Sequence, residues 1–257
     1  MYPVLFELPF LNIPITSFGA MMVVGFLTAY WITAKRMREL GLDPEIASNM
    51  LLWCMAGGVI GAKLYYAIDT TILGQNPSFT AALFSRGGMT WFGGLIGGLL
   101  FAAVGARIHG IRVAVFAECA TVGLAVGQAL GRVGCFLVGD DYGKVAYDLP
   151  WAIAFPNGAP PTLAPVHPTM LYEVVWLLPV AAVLWSRRDR SPFLFGEYMM
   201  AAGLGRLVIE HWRVNERVAL GMSEAQWIGI ALFVAGATGW LYFRRRSESA
   251  LEAPSPV

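Results

Sequence analysis

Long apolar runs separated by short charged or Gly/Pro-rich stretches set the pattern of this chain. A helix crosses a bilayer with about 20 mostly apolar residues, and seven runs reach or approach that length, at roughly 15–34, 48–68, 90–107, 113–131, 168–186, 195–212 and 225–243. The pattern predicts an all-α, polytopic membrane protein of seven transmembrane helices. It places one seven-helix domain over 1–246 and a polar, disordered cytoplasmic tail over 247–257. The first run is too long, and too directly followed by others, to read as a cleaved signal peptide. The sixth is the least apolar because Arg206 and Glu210 interrupt it. No internal repeat is evident by eye, which weakens an inverted-repeat transporter. The longest connection, from Arg132 to His167, is rich in Gly and Pro and carries Trp151 and Phe155, which predicts a position at the outer membrane–water boundary. Connections of that length are functional or disordered.

Cationic residues give the spans a direction. With the N-terminus outside, the inner segments hold Lys35, Arg36, Arg38, Arg107, Arg112, Arg187, Arg188, Arg190, Arg244, Arg245 and Arg246, while the outer ones hold only Arg86, Arg132, Lys144, Arg213 and Arg217. Positive residues favour the cytoplasmic side, so the N-terminus is expected outside and the C-terminus inside. Composition agrees: 14% of the 257 residues are charged and 57% hydrophobic, where a soluble domain carries about 25% charged residues. That excludes a cytosolic globular enzyme, a nucleic-acid binder and a disordered chain. A net charge of +1 implies no bulk attraction to an acidic partner. Cys54, Cys119 and Cys135 lie far apart and form neither a disulfide framework nor a zinc site.

Two residue classes inside the spans stand out. Glycines recur at four-residue spacing, as Gly57 and Gly61, Gly93 and Gly97, Gly94 and Gly98, and Gly123, Gly127 and Gly131. That spacing puts them on one helix face and lets two backbones approach closely, so packing is the favoured explanation. Ionisable residues at or within spans are Lys63, Glu118, Arg132, Glu173, Arg206, Glu210 and Arg213. Each costs about 2.5–3.5 kcal/mol at a helix centre on insertion scales, so each is expected to be paired or functional. Arg206, Glu210 and Arg213 share a face of a continuous helix at i, i+4 and i+7. Lys63 is evenly balanced between a structural ion pair and a functional role, and Glu118 fits a helix-start carboxylate near the interface. Arg132 arrives at the end of the fourth span, so two guanidiniums converge in a low-dielectric pocket with Arg206. Without a ligand such cations repel and lose hydration; a phosphate satisfies both, because guanidinium matches its oxygens bidentately. The residues alone thus point to an anion or phosphate pocket near the outer leaflet.

The run Gly131-Arg132-Val133-Gly134-Cys135-Phe136-Leu137-Val138-Gly139-Asp140-Asp141-Tyr142-Gly143 resembles the signature G-R-x-G-N-F-x-N-G-E-x-x-G of the bacterial prolipoprotein diacylglyceryl transferases. In the same order, Gly61-Ala62-Lys63-Leu64-Tyr65-Tyr66 is similar to that family's G-A-R-x-x-Y, and Phe92-Gly93-Gly94-Leu95-Ile96-Gly97 to its H-G-G-L-x-G. His167-Pro168-Thr169-Met170-Leu171-Tyr172-Glu173 is similar to its H-P-[ST]-Q-L-Y-E, and the stretch from Arg206 through Glu210 to Arg213 to its R-x-x-x-E-x-x-R. Ser223 to Gln226 resembles the start of its last span, so the likeness covers nearly the whole chain.

The resemblance implies transfer of the diacylglyceryl group of phosphatidylglycerol to the lipobox cysteine thiol in the signal peptide of a preprolipoprotein, with release of glycerol phosphate, by a multi-pass protein of the bacterial inner membrane. It makes Arg132 and Arg206 the phosphate clamp. Asp140 and His167 join them as catalytic candidates, with Gly139, Asp140, Tyr142 and Gly143 shaping an outer loop over the pocket. Glu210 orients an arginine, Glu173 and Tyr172 support the cavity from the fifth span, Lys63 belongs to the binding set, and Arg213 meets lipid head groups at the boundary. The nucleophile is the substrate's thiol, with a reference pKa of about 8.5, so none of this chain's cysteines is required. No metal or organic cofactor is expected, since no His/Cys/carboxylate cluster stands at ligand spacing and there is no nucleotide loop.

The chain departs from the family pattern at Phe92, where the family's usual histidine stands, at Cys135 and Val138 in place of two asparagines, and at Ala202 and Phe18 in place of tyrosines. Three functions therefore stay open. The first is an active transferase with another base, from Asp140, Asp141, His167 or His211, or with the arginine field alone lowering the thiol pKa. The second is a divergent paralogue acting on another lipid or acceptor. The third is a non-catalytic phospholipid-binding or transport protein. His167 is favoured as a fixture of the helix start before Pro168, His211 as a surface or packing residue, and Cys54 and Cys119 as packing. Cys135 beside Arg132 is a minor candidate for a transient acceptor, a buried free cysteine usually behaving as a small hydrophobe.

Overall fold

Seven long helices form where the apolar runs place them. The structure, a computed structural model, describes residues 3–8, 13–74, 78–85 and 88–252. They are α1 (Ser17–Glu39), α2 (Glu45–Ile72), α4 (Trp91–Ile108), α5 (Val113–Val138), α6 (Thr169–Arg187), α7 (Leu194–Ile209) and α8 (Glu224–Glu252), with a one-turn α3 (Phe79–Leu83) between α2 and α4. Five of them, α1, α2, α5, α6 and α8, are long and apolar enough to cross a membrane. α4 is apolar but shorter, and α7 has only 16 residues. Large apolar side chains on these helices, such as Val23, Leu27 and Trp31 on α1 and Leu95, Leu99 and Leu100 on α4, are left exposed by the protein itself. Such faces suit lipid rather than water.

Three differences from the sequence pattern have local causes. The fold is mostly helical but not all-α: three short antiparallel hairpins pair Val4–Leu8 (β1) with Ile13–Thr16 (β2), Ile153–Phe155 (β3) with Thr162–Val166 (β4), and Arg217–Ala219 (β5) with Met222–Ser223 (β6). The first precedes α1 and the other two lie in connections, and no strand exceeds five residues, too few for a helical period to register. Next, α5 continues past 131 to Val138. Gly131 and Gly134 do not break it because α1 packs on them: a Cβ at Gly134 would lie 3.1 Å from Met21 and 3.2 Å from Phe18. Finally, the sixth run is not one helix to 212. α7 ends at Ile209, tightens into a 3-10 turn at Glu210–Trp212, and leaves Arg213 extended at φ −86°, ψ 161°. At the C-terminus α8 runs to Glu252, beyond the expected start of the tail at 247, and residues 253–257 lie outside the described residues, as does Arg86.

The chain forms two compact units, Thr33–Cys119 and Met1–Ile32 with Ala120–Val257. In the first of these, α2 and α4 meet backbone to backbone at the glycines singled out by their spacing. A Cβ on Gly61 would lie 2.2 Å from the Gly93 oxygen, and one on Gly97 2.2 Å from the Gly57 oxygen. Met50, Ala102 and Ala106 close the seam, with Ile46, Ile111 and Phe116 packed against them. The other unit holds two such seams. Gly25 on α1 faces Gly127 on α5, and Gly203 and Gly196 on α7 face Gly229 and Gly236 on α8. The α7–α8 seam uses a seven-residue spacing and escapes a search for four. Its apolar core gathers Val122 and Ala125 from α5, Ala181 and Leu184 from α6, and Leu194 from α7.

Candidate active site

The larger unit brings six charged side chains from four segments into one cluster. Glu173, near the start of α6 and with 7% of its side chain exposed, is the hub. Its Oε2 accepts from Arg132 Nε at 2.7 Å, and its Oε1 accepts from Arg206 Nη1 at 3.2 Å and Arg213 Nη1 at 3.3 Å. Asp141 binds two of the same guanidiniums, accepting from Arg132 Nη1 on Oδ2 and from Arg213 Nη2 on Oδ1. Glu210 Oε2 lies 3.2 Å from Arg206 Nη2 and 3.7 Å from Arg213 Nε, in ion pairs that lack hydrogen-bond alignment. Its Oε1 accepts from Ser223 Oγ at 2.6 Å and Asn215 Nδ2 at 2.7 Å. Three guanidiniums and three carboxylates balance, which is how such a cluster survives burial.

This pairing changes the case for a phosphate. The two arginines do not need an anion to relieve mutual repulsion, because chain carboxylates already do so. They do keep capacity for one: Arg132 and Arg206 are 22% and 24% exposed in their side chains, and neither Arg132 Nη2 nor Arg206 Nε has a partner among the described residues. Arg213 differs from its expected place among lipid head groups. Only 4% of its side chain is exposed, and it is locked to Glu173 and Asp141.

Backbone geometry places these side chains. Arg132 lies two turns before the end of α5, not at its last residue. Gly139 closes that helix at φ +76°, a conformation that suits glycine, and its carbonyl accepts from Ala159 in the long connection. Asp141 follows at φ +60°, its carbonyl held by Thr169 Oγ1 at 2.8 Å. Gly143 then threads between His167 and Trp212: it donates to the His167 carbonyl at 2.8 Å, Lys144 donates to the Trp212 carbonyl at 2.8 Å, and Gly143 bridges Arg213. A Cβ on Gly143 would lie 2.4 Å from the Trp212 oxygen, so glycine permits the approach that swings Arg213 inward after the helix breaks. The long connection is thus ordered by its backbone.

The remaining candidates surround the cluster. Asp140 has a buried Oδ1 with no hydrogen-bond partner among the described residues. Burial raises its pKa above the ordinary carboxylate value. Burial also works to raise Asp141, but Arg213 and Arg132 outweigh it and hold that carboxyl below its ordinary value. His167 Nδ1 lies 3.0 Å from the Tyr172 hydroxyl, which accepts from Trp151 Nε1 at 2.9 Å, and both rings pack on Trp212. Burial, then the Lys144 charge, lower the His167 pKa. Tyr142 stacks on Phe155 and donates to the Pro160 carbonyl at 2.9 Å, so its hydroxyl serves the β3–β4 hairpin. His211 is exposed.

Lys63 belongs to the other unit, where its ammonium donates to Ser85 O at 2.8 Å, Ser85 Oγ at 3.0 Å and Gly88 O at 3.2 Å and lies over the Tyr66 ring. These acceptors make it an anchor for the segment before α4. Asp141 is the main participant that sequence reasoning underweighted, as one of several alternative bases. Its signal was the doubled acid after Gly139. Asn215 and Ser223 hold Glu210; Asn215 carried no local signal, and Ser223 entered only through the likeness at the start of the last span.

Comparison with known proteins places this chain in a family. A profile of the prolipoprotein diacylglyceryl transferase family matches residues 3–242. The phosphatidylglycerol–prolipoprotein diacylglyceryl transferase of Paenarthrobacter aurescens is 32% identical, over 94% of this chain and 82% of its own length, and that of Clostridium tetani is 31% identical, over 92% and 95%. The protein of the same name from Frankia alni is 32% identical over 91% of this chain, which spans only 64% of the Frankia protein. A match over residues 3–242, with relatives about 30% identical over most of the chain, shows that this chain belongs to the prolipoprotein diacylglyceryl transferase family.

Proposed function

We propose that this multi-pass membrane protein transfers the diacylglyceryl group of phosphatidylglycerol to prolipoprotein, the reaction its relatives are named for. The acceptor is the lipobox cysteine thiol of the signal peptide, and the setting is the bacterial inner membrane. Seven helices span it, with the N-terminus outside and the C-terminus in the cytoplasm, as the Lys/Arg bias favours. The observation that carries the proposal is the neutral cluster of Arg132, Arg206, Arg213, Asp141, Glu173 and Glu210, in which two guanidiniums keep both exposure and unused donors.

In this reaction the thiol sulfur bonds to the glyceryl carbon, the carbon–oxygen bond to phosphate breaks, and glycerol phosphate leaves with the bonding electron pair. Arg132 and Arg206 take the growing negative charge on the leaving phosphate. Because Glu173 already fixes both guanidiniums, little reorganisation accompanies the charge transfer, and such preorganisation is the main electrostatic contribution in catalysis. Asp140 accepts the thiol proton at its unpartnered Oδ1, in the role that a histidine in place of Phe92 would otherwise fill. Burial, by raising its pKa, brings it closer to that task. Glu210, Asn215 and Ser223 position Arg206, Tyr172 supports the cavity beside His167, and Gly139, Tyr142 and Gly143 shape the loop above it.

The test is reconstitution of the purified protein with phosphatidylglycerol and a lipobox peptide, with mass spectrometry of the peptide cysteine. The diacylglyceryl mass is expected, with loss of about 100-fold or more in Arg132→Ala and Arg206→Ala, as for removal of one preorganised donor. Asp140→Asn should lose the rate while phosphatidylglycerol still binds. The departures at Phe92, Cys135 and Val138 favour a second reading, a paralogue with another acceptor. Bound phosphatidylglycerol with an unmodified peptide, where a relative with the histidine works, would establish it.

A further inference from the structure

One helical turn from the arginine–carboxylate cluster, α5 and α7 share a second polar contact that the transfer step does not use. The Tyr198 hydroxyl donates to Gln128 Oε1 at 2.8 Å. Gln128 precedes Arg132 by four residues on α5, about 6 Å along the axis toward the helix middle at 1.5 Å per residue. Tyr198 precedes Arg206 by two turns on α7, with Ala202 midway between them. Residues four apart share a helix face. The helices therefore present two rungs, one of Arg132, Glu173 and Arg206 and one of Gln128 and Tyr198. Ala202 leaves the α7 side of the gap between them without a large side chain.

The glutamine amide is satisfied only at its oxygen. Its nitrogen has no hydrogen-bond partner among the described residues, and it is not among the buried atoms sealed off without one. A brace between helices needs only the acceptor that Tyr198 uses, whereas spare donors at membrane depth are destabilising until something accepts from them. One turn further along the same face, Leu124 is 42% exposed. This face of α5 thus presents an apolar side chain, an amide donor and a guanidinium in order. A glycerophospholipid presents an acyl chain, an ester carbonyl and a phosphate in the same order.

We infer that Gln128 recognises the acyl ester of the lipid substrate, its amide donating to the ester carbonyl on the central glycerol carbon, with Tyr198 as the positioning residue. The inference rests on the proposed phosphate clamp of Arg132 and Arg206. That ester is borne by the carbon next to the one the thiol attacks, so holding carbonyl and phosphate together fixes the reacting carbon between two points. It also gives the site a preference that phosphate contacts cannot supply, for acyl esters over alkyl ethers, because an ether has no carbonyl to accept the amide hydrogen.

Dipalmitoyl phosphatidylglycerol and its diether counterpart, di-O-hexadecyl phosphatidylglycerol, differ only in those carbonyls. The full chain in detergent is offered the two as an equal mixture, with retention read by native mass spectrometry and transfer to a lipobox peptide measured in parallel. The native chain should favour the diester about fivefold in both, the worth of one neutral hydrogen bond. Gln128→Met keeps the length of the side chain and should bring the diester down to the diether, leaving the diether unchanged. Tyr198→Phe keeps the amide but loosens it, and should leave about a twofold preference. Thermal unfolding checks that the variants fold, and the comparison in the native chain stands without them. Equal handling of the two lipids by the native chain, a preference that survives Gln128→Met, or a loss that falls on both lipids alike overturns the inference. A preference in retention that Gln128→Met removes, with no peptide modified, upholds it and counts against the proposed transfer instead.

Discussion

Glu173 shows how one side chain decides the site. Three guanidiniums share its two oxygens, and breaking a buried pair by removing one partner costs about 3–5 kcal/mol. Glu173→Gln keeps the shape and removes the charge, so thermal unfolding in detergent should report a loss in that range, together with loss of transfer. Asp141 gives a pH signature. Its carboxyl is held below the ordinary value by Arg213 and Arg132, so its contribution is full above an unfolded pKa of about 3.9 and disappears as pH falls through the folded value. The stability gap between the native chain and Asp141→Asn should therefore stay constant from neutral pH to about 5 and close below about 4; a gap that persists at low pH would show that Asp141 acts through something other than charge.

Among the elements, the helix seams and the break after α7 make the sharpest predictions. A Cβ on Gly61 would meet backbone atoms of Gly93 and Gly97 at 2.2–2.8 Å, whereas one on Gly94 would find only ordinary contact at 3.5 Å. Gly61→Ala should cost about 1–3 kcal/mol by overpacking, and Gly94→Ala should cost almost nothing, in parallel unfolding measurements. Four-residue spacing marked these glycines as packing residues but could not rank them, because only the partner's backbone says which is crowded. The end of α7 was illegible for a related reason. A helical period predicts a shared face for Arg206, Glu210 and Arg213, and they do converge, but through a 3-10 turn and an extended Arg213 held by Gly143 and Lys144. Gly143→Ala should displace Arg213 and lower transfer with less effect on expression or global unfolding, which a rate assay beside a melting curve will separate.

Across the whole molecule, the distribution of Lys and Arg predicts the topology. Reporter fusions should place the C-terminus after α8 in the cytoplasm, with a fluorescent protein active there and a periplasmic phosphatase inactive. A fusion in the 140–166 connection should behave in the opposite way. The reverse pattern would place the arginine–carboxylate cluster on the wrong side for a secreted acceptor.

Apolar length alone determined the number of long helices and most of their boundaries, because a bilayer-length hydrophobic run is a local property. The doubled arginine motifs likewise announced a charged site before any fold existed. What only the tertiary structure decided is which charges meet. Arg132, Glu173, Arg206 and Arg213 are far apart in sequence, and neighbours within a helix cannot show that three carboxylates would neutralise three guanidiniums. The extension of α5 past Gly131, the turn into Asp141 and the close passage of Gly143 under Trp212 all depend on atoms from another segment. Those long-range contacts turn a list of arginines that needed a ligand into a preorganised cluster that can accept one.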